Sequence, residues 1–260
     1  MAESYNKEAA LYLDARPQYP AEWFSRLASL TSHLSVAWDA GTGSGQAAIG
    51  LADHYDKVVA TDISEEQLKC APSHPRVHYK HSPLSISEED FVNLVGGDNS
   101  VDLVTAACAV HWFDLELFYS TVKRVLKKPG GVIAVWTYNI IQVNPEFDPL
   151  MQRFADSAAP FSDPKTKYPF QCYKNLPFPF ESVGLGSEGE PVVLDMHKEM
   201  SIEGVIRLLG TWSATLTAKE QGVDLLTDDV VNEFVKAWGG PGVVRNVVYK
   251  TYLIAGKVKL

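Results

Sequence analysis

With 260 residues, 46% of them hydrophobic and 21% charged, the chain has the make-up of a globular protein with room for one sizeable core and a cap. A formal net charge of -9 argues against a nucleic-acid backbone as partner, because such a surface needs an excess of Lys and Arg, and no basic patch stands out. No apolar run approaches the ~18 residues of a membrane span, and the polar start from Met1 to Ala9 holds no apolar leader core, so a cytoplasmic protein away from membranes is expected.

Residues 1–34 read as a helical N-terminal segment, with Trp23, Phe24, Leu27 and Leu30 at helical spacing and Pro17 and Pro20 dividing it. Strand-like and helix-like stretches then alternate. Strands are expected at 36–40, 57–61, 76–80, 101–107 and 131–137, and helices at 44–54, 64–70, 87–95 and 114–127. Ser64 with Gln67 has the spacing of a capping box. This alternation implies an α/β fold, a parallel sheet with helices on both faces. Lys127 and Lys128 suit the basic end of the helix before strand five.

Near residue 138 the rhythm changes. Residues 138–190 are rich in Pro, Phe and Tyr and too long for a plain loop, so they are expected to form a cap with a helix near 146–158. The stretch 200–240 adds cap elements: a helix capped by Ser201 and ending near Leu209, and another at 228–238 closed by Gly239-Gly240-Pro241. Strands at 191–199 and 243–258 complete what reads as a single domain over 1–260. Cys70, Cys108 and Cys172 are odd in number and lack metal-ligand spacing, so reduced thiols and no metal site are expected.

Asp39-Ala40-Gly41-Thr42-Gly43-Ser44-Gly45 lies between the first strand and the first helix after it. Glycines there let the backbone approach a ligand closely, and the helix start offers free N–H groups. Asp62 ends the second strand, where a carboxylate can accept hydrogen bonds from ribose hydroxyls; the plainer role is a cap for the helix beginning at Ser64. Read as Gly43-x-Gly45-x-x-Ala48, the glycines also satisfy the relaxed dinucleotide fingerprint, so on this evidence a nicotinamide-dependent oxidoreductase stays open.

Further motifs bear on the choice. Asp39-x-Gly41-x-Gly43-x-Gly45 resembles motif I of the class I S-adenosylmethionine-dependent methyltransferases, and Leu126-Lys127-Lys128-Pro129-Gly130-Gly131 resembles the turn before their fifth strand, with one extra Lys. Ala109-Val110-His111-Trp112-Phe113-Asp114 and Tyr12-Leu13-Asp14-Ala15-Arg16-Pro17-Gln18-Tyr19-Pro20 resemble a narrower group related to trans-aconitate methyltransferase. The resemblance implies a Rossmann-like, seven-stranded, mostly parallel sheet whose last strand is antiparallel. It implies S-adenosylmethionine as cofactor, held by Asp39, Ala40, Gly41, Thr42, Gly43 and Gly45, with Asp62 on the ribose and Ile63 on the adenine. Ser82 takes the place of the acidic residue that many relatives carry after strand three. Tyr12, Arg16 and Tyr19 belong to a segment that folds over the cofactor in the family.

Ala106 and Ala107 end strand four at the carboxyl edge, where small residues leave room for a ligand. His111 follows in the expected cleft and is the candidate for acid/base work or acceptor positioning; a lone His there could equally cap the next helix. Tyr19, Trp112, Trp136, Tyr138 and Trp212 are candidates for the acceptor pocket, although most aromatics are core. The expected reaction is methyl transfer to a small organic molecule on oxygen, a carboxylate or a hydroxyl. A cofactor-binding interaction protein, or this fold turned to another reaction, remains an alternative. Nothing in the residues speaks to oligomeric state.

Overall fold

The computed structural model describes residues 17–259. In chain order the elements are α1 (Ala21–Ala28), β1 (Val36–Ala40), α2 (Gln46–Ala52), β2 (Lys57–Asp62), α3 (Glu65–Lys69), β3 (Val77–His81), α4 (Glu88–Val95), β4 (Leu103–Ala107), α5 (Leu115–Val125) and β5 (Val132–Gln142). Then come α6 (Asp148–Ala158), α7 (Lys167–Phe170), β6 (Glu181–Ser182), β7 (Val192–Ser201), α8 (Ile202–Gly210), α9 (Ser213–Glu220), α10 (Asp228–Trp238) and β8 (Val244–Lys257). A single 3-10 turn, Val110–Trp112, separates β4 from α5.

The strands form one sheet in the order β3-β2-β1-β4-β5-β8-β6, with β7 also paired to β8. β1 to β5 are mutually parallel where they pair, and β8 runs antiparallel to β5, β6 and β7. The eighth strand beyond the expected seven is β6, two residues that lie opposite Gly256 and Lys257 on the edge of β8 that β7 also uses. β5 continues past the expected end at 137 because β8 is long enough to pair with it as far as Gln142, across an irregularity between Tyr138 and Ile141.

The central strands are apolar on both faces because helices cover both sides of the sheet. Trp38 is fully buried on β1; its indole N–H donates to Thr61 Oγ1 at 2.9 Å, and Phe91 and Phe118 meet its ring edge-on. Helix starts follow their caps. Ser64, Ser87, Asp114, Ser201 and Thr227 each accept a backbone N–H from the residue three positions on. On one face, α1 and α2 share a core with Phe147, Met151 and Phe154 of the α6 region and with Val205, Leu209, Phe234 and Trp238 of α8 and α10. On the other, α4 and α5 pack with the segment around Tyr173, Leu176 and Phe178. Helices α6, α8 and α10, in the stretches expected to form a cap, therefore bury their apolar stripes in the same core as the sheet.

At the opposite edge of the sheet from the glycine turn, Asp102 is nearly fully buried before β4. Its Oδ2 accepts the backbone N–H groups of Ser35 and Val36, each at 2.9 Å, and its Oδ1 lies 2.8 Å from Lys127 Nζ. Lys127 is thus the partner of a buried carboxylate rather than a free charge at a helix end. One side chain joins the start of β1, the start of β4 and the end of α5. Removing it orphans two amides and an ammonium, so Asp102→Ala should lower the unfolding free energy by ~3 kcal/mol. Urea denaturation with an unchanged m-value checks this; a loss below ~1 kcal/mol would contradict the role given to Asp102.

Candidate active site

The carboxyl ends of β1, β2, β4 and β5 meet at one edge of the sheet, the edge at which open α/β sheets bind ligands. After β1 the backbone takes positive φ at Gly41, Gly43 and Gly45 (65°, 55° and 86°), and Gly45 starts α2. The three glycines are there for different reasons. A Cβ on Gly41 would stand 2.6 Å from Ala109 Cβ, and one on Gly45 would stand 2.5 Å from the Tyr79 hydroxyl. A Cβ on Gly43 would meet only Gln67 Oε1, at 3.8 Å. Gly41 and Gly45 are therefore required by close packing, whereas Gly43 turns a bare backbone toward open space.

Two carboxylates hold this turn. Asp39 is fully buried and faces the turn itself: Oδ2 accepts the Thr42 hydroxyl at 2.6 Å and Oδ1 accepts the Thr105 hydroxyl of β4 at 2.7 Å. Burial pushes its pKa up to about 6, against the lowering effect of those hydroxyls. Asp62 is half-buried; Oδ2 accepts the Gly43 N–H at 2.7 Å and Oδ1 accepts the Ser64 N–H at 2.8 Å. Desolvation raises its pKa too, with the Ser64 and Gly43 amides opposing. The Ile63 amide also acts on the carboxylate, and of its four acceptor positions one stays open for a further donor. Asp62 thus brackets the turn and steadies the entry to α3, whose cap is Ser64.

Beside Asp62, Ile63 is 41% exposed, a large apolar side chain kept at the surface. Ser82 continues the β2–β3 ladder, its N–H donating to Asp62 O at 2.9 Å, and its side chain is half-buried. Ala106 is buried and Ala107 half-buried at the end of β4. Cys108 then takes a left-handed φ of 52° and swings the chain into the turn that carries His111. That turn leans on the glycine loop through Ala109 and Phe113, the atoms nearest the absent Cβ of Gly41.

His111 is 5% exposed, with Nδ1 3.1 Å from the Tyr173 hydroxyl. Burial, with Lys165 as a minor contributor, drops its pKa to about 3; Asp163 opposes the shift. The imidazole is neutral at physiological pH. Trp112 lies against His111, ring centroids 4.9 Å apart, and its carbonyl accepts Lys165 Nζ at 2.9 Å. Tyr19 reaches the same edge from the N-terminal side: its hydroxyl donates to Cys108 Sγ at 3.8 Å, and its ring stacks on Trp23 and stands edge-on to Trp136.

The expected acceptor-side aromatics divide. Tyr19, His111 and Trp112 gather around the end of β4. Trp136 does not form an open wall: it is 1% exposed beneath Tyr19, and its indole Nε1 has no partner among the described residues. Tyr138 is edge-on to Tyr249, and Trp212 is edge-on to Phe154 within the cap. Tyr12 and Arg16 lie outside the described residues. A cavity of about 500 Å³ in the cap, lined by Arg207, Thr215, Lys219 and Leu226, shares none of these side chains. Sequence reading missed Thr105 and Tyr173. Thr105 was traceable as a lone polar residue in an apolar strand, but nothing local marks Tyr173 as the neighbour of a histidine 62 positions earlier.

A family model described as a methyltransferase domain matches residues 38–135, from β1 to β5. A solved structure of a candidate type II methyltransferase from Anaeromyxobacter dehalogenans is 34% identical, covers 93% of this chain and 97% of its own, and superimposes with a TM-score of 0.78. A candidate methyltransferase of Dictyostelium discoideum is 28% identical over 254 residues, covering 95% of this chain and 91% of that protein. A candidate S-adenosylmethionine-dependent methyltransferase of Saccharomyces cerevisiae is 28% identical over 149 residues, 55% of this chain and 48% of that longer one. Taken with the glycine turn, the two strand-end carboxylates and the antiparallel last strand, this likeness over nearly the whole length places the chain among the class I S-adenosylmethionine-dependent methyltransferases.

Proposed function

We propose that the chain transfers the methyl group of S-adenosylmethionine to an oxygen of a small organic acid that is already ionised when it binds. The observation that carries the reading is the neutral, buried imidazole of His111 beside the glycine turn. A base with a pKa of about 3 holds an abstracted proton in only ~1 molecule in 10⁴ at pH 7. His111 is suited to positioning an acceptor, and a carboxylate acceptor needs no base because it is an anion at neutral pH. The resemblance of the His111-Trp112 motif to the trans-aconitate methyltransferase group supports the same class of acceptor.

The residues present fit the cofactor. Gly43 leaves space above a backbone no side chain could adopt cheaply, Asp62 retains acceptor capacity, and Ser44 Oγ is buried with no partner among the described residues. In this reading the turn from Asp39 through Ala40, Gly41, Thr42 and Gly43 to Gly45 holds the methionine end, with Asp39 acting through Thr42. Asp62 accepts the ribose hydroxyls, Ile63 and Ser82 border the adenine, and Ala106 and Ala107 leave room beside the sulfonium. The bound cofactor supplies an electrophilic methyl whose leaving group, a neutral thioether, needs no acid. The protein's task is to align the acceptor and exclude water. Tyr19 and Trp112 flank the acceptor side, and Tyr12 and Arg16 are proposed to close over the site. Residues of the stretches 138–190 and 200–240 shape the pocket beyond.

Calorimetry with S-adenosylmethionine and with NAD tests the cofactor directly. S-adenosylmethionine should bind, NAD should not, and Asp62→Ala should weaken binding by ~10–100-fold; the reverse selectivity would sink the proposal. A screen of metabolite extracts for labelled methyl transfer identifies the acceptor. On that acceptor His111→Gln should keep turnover within ~10-fold, whereas a loss above ~100-fold would restore a base role for His111.

The two shifted groups also move stability in opposite directions with pH. A carboxyl raised from 3.8 to about 6 favours the folded state at acid pH, and this advantage is lost as pH rises through that window. An imidazole lowered from 6.5 to about 3 penalises the folded state below its ordinary pKa, and the penalty is relieved as pH rises. Between pH 4 and 6 the wild type should therefore gain on His111→Gln by ~1.4 kcal/mol per pH unit and lose on Asp39→Asn by a similar amount. Parallel denaturation curves for the three proteins would contradict both assignments.

A further inference from the structure

Among the described residues, four that are not glycine have left-handed backbone: Asn99, Cys108, Cys172 and Tyr173. Such conformations are costly for residues with side chains and persist where the surroundings over-determine them, often at functional sites. Three of the four converge on one hydroxyl. Cys172 and Tyr173, at φ 57° and 58°, are consecutive, and Tyr173 is wholly buried. Its phenol lies 3.1 Å from His111 Nδ1 and also bonds the Thr137 hydroxyl on β5. Cys108, at φ 52°, leads into the turn that carries His111 and is close enough to act electrostatically on the same phenol. The Tyr173 N–H donates to Tyr168 O at 2.9 Å, and Asn139 Nδ2 contacts Phe170 O and Cys172 Sγ, which pins this turn to β5. The backbone is thus bent at some cost to deliver one aromatic hydroxyl to one imidazole nitrogen.

We propose that Tyr173 is a positioning residue for His111: its hydroxyl, braced by Thr137, donates to Nδ1 and fixes the imidazole in the tautomer that offers Nε2–H to an anionic oxygen of the acceptor. The proposal rests on the reading of His111 as an acceptor-side group. Burial holds the Tyr173 phenol well above its ordinary pKa, so it always carries its proton. In the proposed arrangement the phenolic proton points at Nδ1, 3.1 Å away, with the Thr137 hydroxyl, whose proton also reaches Tyr138 O at 3.4 Å, beside the phenol oxygen. A neutral imidazole has one N–H, and with Nδ1 accepting, that N–H is on Nε2. Nε2 makes no hydrogen bond to any described residue, so this donor is left for a ligand. Asp163 and Lys165 are the charged groups that also act on the ring, with opposite signs.

Nitrogen NMR on histidine-labelled protein tests this without acceptor or cofactor, the His111 signal being identified by its disappearance in His111→Gln. The wild type should show a bare Nδ1 and a protonated Nε2. Tyr173→Phe should replace that single form with a tautomer mixture and lower kcat by about 3-fold, less than the loss in His111→Gln, with KM for S-adenosylmethionine unchanged. Thr137→Val, which keeps the phenol but removes its brace along with the 3.4 Å contact to Tyr138 O, should move the same signal and serves if Tyr173→Phe does not fold. A proton on Nδ1 in the wild type, or a His111 signal indifferent to both substitutions, would overturn the proposal. Failure of the methyl-transfer reading would show separately, as absent S-adenosylmethionine binding with the tautomer still fixed.

Discussion

The buried carboxylate of Asp39 is the constraint on which the rest of the site depends. Placing an acid at the centre of an apolar sheet is unfavourable, and the raised pKa records that cost. What makes it tolerable is a pair of hydroxyls, one in the glycine turn and one on the neighbouring strand. Those two bonds clamp the turn to β4 and hold its three left-handed glycines in register. Asp62 closes the other side by accepting the Gly43 amide. The cradle is thus set by the protein's own hydrogen bonds and needs no ligand to define its shape, which lowers the ordering cost of binding.

The proposed acceptor side is assembled from pieces far apart in sequence. Cys108 and His111 follow β4, Tyr19 arrives from the N-terminal segment, and Tyr173 from the stretch after α7. Each is anchored in a core: Tyr19 against Trp23 and Trp136, Tyr173 among the side chains that cover the far face of the sheet. For methyl transfer, in which alignment outweighs acid–base assistance, rigid placement of this kind is the main contribution a protein can make. The low basicity of His111 follows from the same enclosure.

Much of the fold was legible because buried parallel strands write themselves as largely apolar runs and some helix starts carry a cap that the sequence shows. Val36 to Ala40, Val101 to Ala107 and Val132 to Thr137 are of the first kind; Ser64 and Ser201 are of the second. Helix α9 was missed because its buried face is Ala214, Thr215 and Ala218, small residues that leave no apolar stripe. The reach of β5 to Gln142 was hidden because its partner lies a hundred residues later in β8. In the site, the residue types of the cradle could be read but not their directions. Asp39 and Asp62 look alike as strand-end acids, yet one turns wholly inward and the other keeps an outer edge. Trp136 ends an apolar run and reads as wall or core, and only the position of Tyr19 above it decides for core. The Tyr173–His111 contact depends on two left-handed residues that no local pattern announces.

The missing Cβ of Gly41 has a mechanical meaning. The space it would fill is already occupied by Ala109 and Phe113, so the glycine loop and the His111 turn touch backbone to side chain with no slack between them. Interiors packed at this density do not compress. A shift of the loop by more than a few tenths of an ångström must be taken up by the neighbouring turn, and the reverse holds as well. The two halves of the cleft are therefore a single stiff body at their junction, and that stiffness rests on a hydrogen atom in place of a side chain.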